Sequence, residues 1–230
     1  MKKIFVFLVI LIASIGFVLG FIGSDIVPKM GCKFGREDDC NKINLMGNRH
    51  LLNKEYKQAE DLLSTACEAD FYKSCANLGT LYMQKGDNAK AEFFLSKSCE
   101  NGFVGGCENA GILHAKNKNF AKALEFFKLS CDNNFAKSCN ALGQMYFKGE
   151  GAEKSSAQAV TFLEKGCELG EASSCAGALY IYGKGDGIKR NFTKALEYAN
   201  KACDGGIKKA CEGITMLKFA IKNEDKIKEF

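Results

Sequence analysis

The side chains able to do chemistry in this chain are dominated by cysteine. Twelve cysteines stand at Cys32, Cys40, Cys67, Cys75, Cys99, Cys107, Cys131, Cys139, Cys167, Cys175, Cys203 and Cys211, as six pairs each eight residues apart. Such thiols can form bridges, bind a metal or exchange electrons. Zinc sites use closer pairs such as C-x2-C and complete the shell with histidine. His50 and His114 are the only histidines, so a multi-histidine metal or catalytic centre is excluded and no metal or cofactor is expected. An even count in an exported chain reads as structural disulfides.

The pairs are periodic. From Cys67 on they recur at 32, 32, 36 and 36 residues, the signature of stacked helical units. Other positions keep the period. Eight residues before the first cysteine of each pair stand Ala59, Ala91, Ala123, Ala159 and Ala195. Five before it stand Leu62, Phe94, Phe126, Phe162 and Tyr198. These positions fall on one stripe of a helix, here helix B. An acid follows the cysteine each time (Glu68, Glu100, Asp132, Glu168, Asp204) and reads as solvated charge. Two further on come Asp70, Gly102, Asn134, Gly170 and Gly206, residue types that tolerate the left-handed conformation ending a helix. The second cysteine then opens helix A, which carries Leu78-Gly79-x-x-Tyr82 and Leu142-Gly143-x-x-Tyr146. His50 and His114 occupy the tyrosine position in their units and read as packing residues. Residues 21–31 do not read as a helix B.

Spacing alone does not choose among the many pairings of twelve cysteines. The period does, because sequential pairing alone treats all units alike. It predicts 32–40, 67–75, 99–107, 131–139, 167–175 and 203–211, across tight reversals that bring Cα atoms within bridging range.

The remaining composition agrees with an all-α chain. Of 230 residues, 47% are hydrophobic and 26% charged, with one proline and no tryptophan. Neither a disordered chain nor a turn-rich β-sandwich fits. Lys2 and Lys3 precede residues 4–22, an uncharged run of mostly Ile, Leu, Val and Phe. We read residues 1–20 as a signal peptide, with an uncleaved anchor over 4–22 as the alternative. A membrane is a partner only if residues 4–22 persist. The rest divides into an N-terminal segment 21–39, five helix-pair repeats over 40–210 and a more charged capping helix over 211–230. Secreted or periplasmic localisation follows, where thiols oxidise.

The stretch Tyr182-Gly183-Lys-Gly185-Asp-Gly187 through Lys194-Ala195-Leu-Glu-Tyr198 to Cys203 resembles a Sel1-like repeat, a relative of the tetratricopeptide repeat. With a C-x7-C pair in every unit and the apolar leader, the chain resembles the Helicobacter cysteine-rich proteins from residue 32 to about 220. The resemblance implies an α/α solenoid of Sel1-like, tetratricopeptide-type helix pairs with one disulfide per repeat. It also implies penicillin binding and β-lactamase activity. Leu179 departs from it, standing where Gly143 would be.

The residues themselves show no β-lactam chemistry. No serine is followed three residues later by lysine, and Lys-Thr-Gly is absent. Tyr198-Ala-Asn200 matches a Tyr-x-Asn motif, but Tyr198 fills the apolar slot of helix B. Ser74, Ser138 and Ser174 precede the second cysteine and read as small residues at a crowded corner. Binding is the function the architecture favours, on the surface lined by helix A. Its polar candidates are Asn77, Thr80, Gln84, Asn109, Lys116, Gln144, Lys148 and Lys184. Their amides can bond an extended backbone and their lysines a carboxylate. The expected partner is a protein, a peptide or a cell-wall fragment, with β-lactams the alternative. Nucleic acid is excluded by the modest net charge of +5 and the lack of a basic–aromatic motif.

Overall fold

The computed structural model describes residues 26–223, which form twelve helices and no strand. The leader expected over 1–20, and the alternative anchor 4–22, lie outside these residues. The chain divides into two compact units, one ending at Asn101 and one beginning at Gly102.

The first unit holds α1 (Ile26–Lys33), α2 (Glu37–Leu52), α3 (Tyr56–Glu68), α4 (Tyr72–Lys85) and α5 (Asn88–Glu100). The second holds α6 (Val104–Lys116), α7 (Phe120–Asp132), α8 (Ala136–Lys148), α9 (Ser156–Glu168), α10 (Ala172–Lys184), α11 (Phe192–Asp204) and α12 (Lys208–Lys222). Within each unit every helix packs on the next in sequence. This is an α/α solenoid of stacked helix pairs, with even-numbered helices as helix A from α2 on. Helix α1 ends one residue past Cys32, as a helix B does, which corrects the expectation that residues 21–31 do not read as one. Pro28 falls in the first turn of α1, where its missing N–H breaks no intrahelical bond.

Local chemistry sets the boundaries. In α5, α9 and α11 helix B starts on a side-chain cap: Asp87 accepts from the Lys90 N–H at 3.1 Å, Ser155 from Gln158 at 3.2 Å and Asn191 from Lys194 at 2.9 Å. It ends one residue past its cysteine. The third residue past the cysteine is left-handed each time, with φ of 58° at Asp70, 64° at Asn134 and 90° at Gly170 and Gly206. The next N–H then reaches back to the carbonyl five residues earlier, as from Phe135 to Ser130 at 3.1 Å and Glu171 to Gly166 at 2.9 Å. This reversal carries the second cysteine to the fourth position of helix A rather than its first. The Cα atoms of each pair come within 4.5–4.8 Å in Cys32–Cys40, Cys67–Cys75, Cys131–Cys139, Cys167–Cys175 and Cys203–Cys211. Cys99 and Cys107 are disulfide-bonded as well.

Burial ranks these bridges. Cys131 and Cys139 are fully buried, whereas both Cys203 and Cys211 are half-exposed. Limited reduction followed by alkylation and peptide mass mapping should therefore label Cys203 and Cys211 before Cys131 and Cys139. Simultaneous labelling would contradict this order.

Helix A meets the following helix B through two recurring contacts. The first is a stacked ring pair: Tyr82–Phe94, His114–Phe126, Tyr146–Phe162 and Tyr182–Tyr198, at 5.4–5.9 Å with planes within 8° of parallel. His114 is a packing residue here, as its place in the repeat predicts. The second is a glycine under a large residue. A Cβ on Gly47 would lie 2.7 Å from Leu63 Cγ, on Gly79 2.6 Å from Leu95 Cγ and on Gly143 2.5 Å from Leu163 Cγ. One unit reverses the sizes. Leu179 holds the glycine position, and the residue at the matching separation is the fully buried Ala199.

The corner serines differ from unit to unit. Ser138 Oγ donates to Ser130 Oγ at 2.8 Å, and both are fully buried. The equivalent of Ser130 next to Ser174 is Gly166, and Ser174 Oγ is buried with no hydrogen-bond partner among the described residues. Ser138→Ala should cost about 1 kcal/mol, while Ser174→Ala should be neutral or stabilising by about 1 kcal/mol. Urea denaturation checks the pair, and equal losses would refute the distinction.

Candidate functional site

On α10, Ala176, Tyr180, Gly183 and Lys184 are spaced four, seven and eight residues along one helical face. Opposite them lies the start of α12. Between the two helices opens a cleft of about 610 Å³, lined by Ala176, Leu179, Tyr180, Gly183, Lys184, Ile207, Lys209 and Ala210. The depression exists because small residues face it. A Cβ on Gly183 would meet only Ala195 Cβ, at 3.8 Å. Tyr180 forms one wall and is 50% exposed. Its ring meets Phe147 of α8 edge-on at 5.8 Å, which carries the apolar strip from α10 to α8. On α12, Met216 lies seven residues from Lys209 and shares its face; it is 76% exposed.

The cleft has a basic rim. Lys184 Nζ donates to Tyr180 Oη at 3.1 Å and sits 5.4 Å from the ring centroid. The hydrogen bond to Tyr180 holds the Lys184 ammonium above its ordinary range, with Asp186 adding a smaller effect. Lys116, Lys148 and Lys184 are the last residues of α6, α8 and α10, so the helix-A face of the second unit carries a lysine at each repeat. Lys148 has Glu150 at 4.0 Å.

Other sequence candidates are placed variously. Gln144 is exposed on α8 in the position Tyr180 takes on α10, and Asn109 is half-buried on α6. In the first unit Gln84 is exposed near the end of α4. Thr80 Oγ1 donates to the Ala76 carbonyl of its own helix at 3.0 Å. Asn77 Nδ2 donates to Asn44 Oδ1 at 2.7 Å, which also accepts from Ser74 Oγ at 2.9 Å, so this amide serves a buried junction between α2 and α4. Sequence reasoning missed the cleft because it sought polar side chains. Extending the register would have found its wall: Thr80, Ile112, Gln144, Tyr180 and Met216 share one place in the repeat.

Comparison with known proteins agrees with these repeats. The Sel1 repeat matches residues 73–103, 110–135, 136–171 and 176–207, more than half of the chain. The chain belongs to the Sel1 repeat family. This Sel1 repeat protein matches no curated protein sequence. Among solved structures it is similar to a Sel1 repeat protein from Oxalobacter formigenes, at 22% identity and a TM-score of 0.62, over 78% of this chain and 76% of that one. It is also similar to a protective antigen of uropathogenic Escherichia coli with an SLR fold, at 20% identity and a TM-score of 0.61; 70% of this chain matches, spanning 36% of that antigen. A third is YrrB, described as a TPR protein with an unusual peptide-binding site, at 18% identity and a TM-score of 0.50, over 85% of this chain and 97% of that one. At these identities the likeness shows the fold alone.

Behind the cleft the Sel1 repeat protein is braced by a charged cluster. Glu164 Oε1 of α9 accepts from Tyr182 Oη at 2.8 Å, Tyr198 Oη at 2.9 Å and Lys194 Nζ at 3.3 Å, and Lys194 Nζ lies 4.7 Å from the Tyr182 ring centroid. Burial pushes the Glu164 carboxyl up, but these three donors outweigh it and the net shift is downward. Burial first, and Glu164 second, pushes the Tyr198 hydroxyl well above its usual range. A carboxyl depressed by folding contributes stability above its unfolded pKa, and that stability is lost as pH falls. Glu164→Gln should therefore flatten the fall in thermal midpoint on acidification through about pH 4. An unchanged acid limb would refute the role of Glu164.

Proposed function

We propose that this protein is an exported scaffold whose helix-A face holds an extended segment of a partner protein. The apolar cleft between α10 and α12 carries this reading, because it opens on the face where Lys184 and Tyr180 point outward. Helical repeats present such faces to extended chains. The peptide-binding site described for YrrB, a structural neighbour, supports a peptide as the ligand class. The oxidised cysteines suggest an oxidising, extracytoplasmic environment. Among the described residues no helix is long and apolar enough to cross a membrane. The bridge in every repeat is the feature shared with the Helicobacter cysteine-rich proteins. β-Lactam hydrolysis has only that resemblance behind it.

A photo-crosslinking residue at Gln144, on the helix-A face, should capture a polypeptide in the native cell. The same residue at Lys128, on helix B, should not. Equal capture at both sites, or none at Gln144, refutes the reading. Intact mass of the exported protein should begin after residue 20; a species retaining residues 4–22 would instead establish an anchor.

A further inference from the structure

The cleft has a chemistry more specific than a general docking face. Its floor and walls are Ala176, Leu179, Tyr180, Gly183, Ile207 and Ala210. The charged side chains lining it are Lys184 and Lys209, one on each bank, and no carboxylate lines it. Asp186, the acid nearest in effect to Lys184, is engaged by Lys154 at 3.8 Å. Glu212, one turn beyond Lys209, is exposed and lies outside the lining. The apolar strip runs across the helices, from Phe147 on α8 through Tyr180 on α10 towards Met216 on α12. A strip crossing helices suits an extended chain, whose alternate side chains point the same way.

We propose that the cleft binds an extended acidic peptide segment, seating two apolar side chains two residues apart between Lys184 and Lys209, with carboxylates of the flanking residues on the two ammonium groups. This rests on the helix-A face being a peptide-binding surface. It adds the partner's chemistry: apolar at alternate positions and acidic on either side. Gly183 lines the cleft and supplies the test, because a Cβ added there would meet nothing closer than Ala195 Cβ at 3.8 Å, so the position accepts a substituent.

The probe is a fluorescein-labelled heptapeptide amide, Gly-Glu-Leu-Ser-Phe-Glu-Gly, titrated onto oxidised protein and read by anisotropy. Replacing its two glutamates with glutamine should weaken binding at least tenfold, and replacing leucine and phenylalanine with serine should remove it. Gly183→Leu should abolish binding while the circular dichroism spectrum and thermal midpoint stay as in the parent. Lys184→Glu with Lys209→Glu should reverse the preference, towards the peptide with lysine in place of glutamate. Absent binding of the probe, binding indifferent to Gly183→Leu, or binding indifferent to the glutamates overturns the proposal. Capture at Gln144 with an indifferent cleft would sink this proposal and leave the helix-A reading standing. No capture at Gln144 sinks the reading itself.

Discussion

Replacing Gly143 with valine should destabilise the second unit by about 3 kcal/mol, the upper end of overpacking costs. The reason is the fixed nature of what surrounds it. A Cβ on Gly143 would lie 2.5 Å from Leu163 Cγ and 3.0 Å from the Ala159 carbonyl oxygen. The leucine is fully buried and the carbonyl belongs to the body of α9, so neither can swing aside. The only relief is to move α8 away from α9, which would also separate the Tyr146–Phe162 ring pair, now 5.4 Å apart. Gly183→Val is the control. It has space beyond its Cα, and its stability should stay within about 1 kcal/mol of the parent. Urea denaturation of both variants decides the matter, and similar midpoints would refute the close-approach argument.

Removing the buried bridge by Cys131→Ala with Cys139→Ala should cost about 2–3 kcal/mol in the chain-entropy account of a short loop. Nothing polar is left unpaired by this double change, so the loss reports the cross-link rather than a stranded thiol. Contacts in a stack of repeats are mainly between neighbours, so the loss should be local. Amide hydrogen exchange should rise in α7 and α8 well before it rises in α11. A uniform rise through the second unit would mean that the unit unfolds as a single block.

Much of this architecture was legible in the chain, and the reasons are physical. The reversal between helix B and helix A needs a left-handed residue, and only a few types accept that conformation, so Asp70, Asn134, Gly170 and Gly206 announce the corners. Stacked rings need flat side chains at fixed places, so Tyr82, His114, Tyr146 and Tyr182 read as one series. The cleft was hidden because it is made by missing volume: Ala176, Gly183 and Ala210 are unremarkable letters until two helices lay them side by side. Asn77 was opaque for a different reason. Polarity tells that an amide needs partners, but only the packing of α2 against α4 shows that Asn44 supplies them. The helix α1 was obscured by Pro28, whose veto on helices does not extend to the first turn.

The exchanged sizes at Leu179 and Ala199 bear on how a gene of this kind can change length. A recombination event that joined α8 directly to α11 would set Gly143 over Ala199 and leave a hole; one that joined α10 to a copy of α9 would drive Leu179 into Leu163. Breakpoints between the two cysteines of a corner avoid both faults, because each helix A travels with the helix B it was shaped to meet. Duplications and deletions that survive should therefore begin and end at the disulfides, making the cassette from one bridge to the next the heritable part.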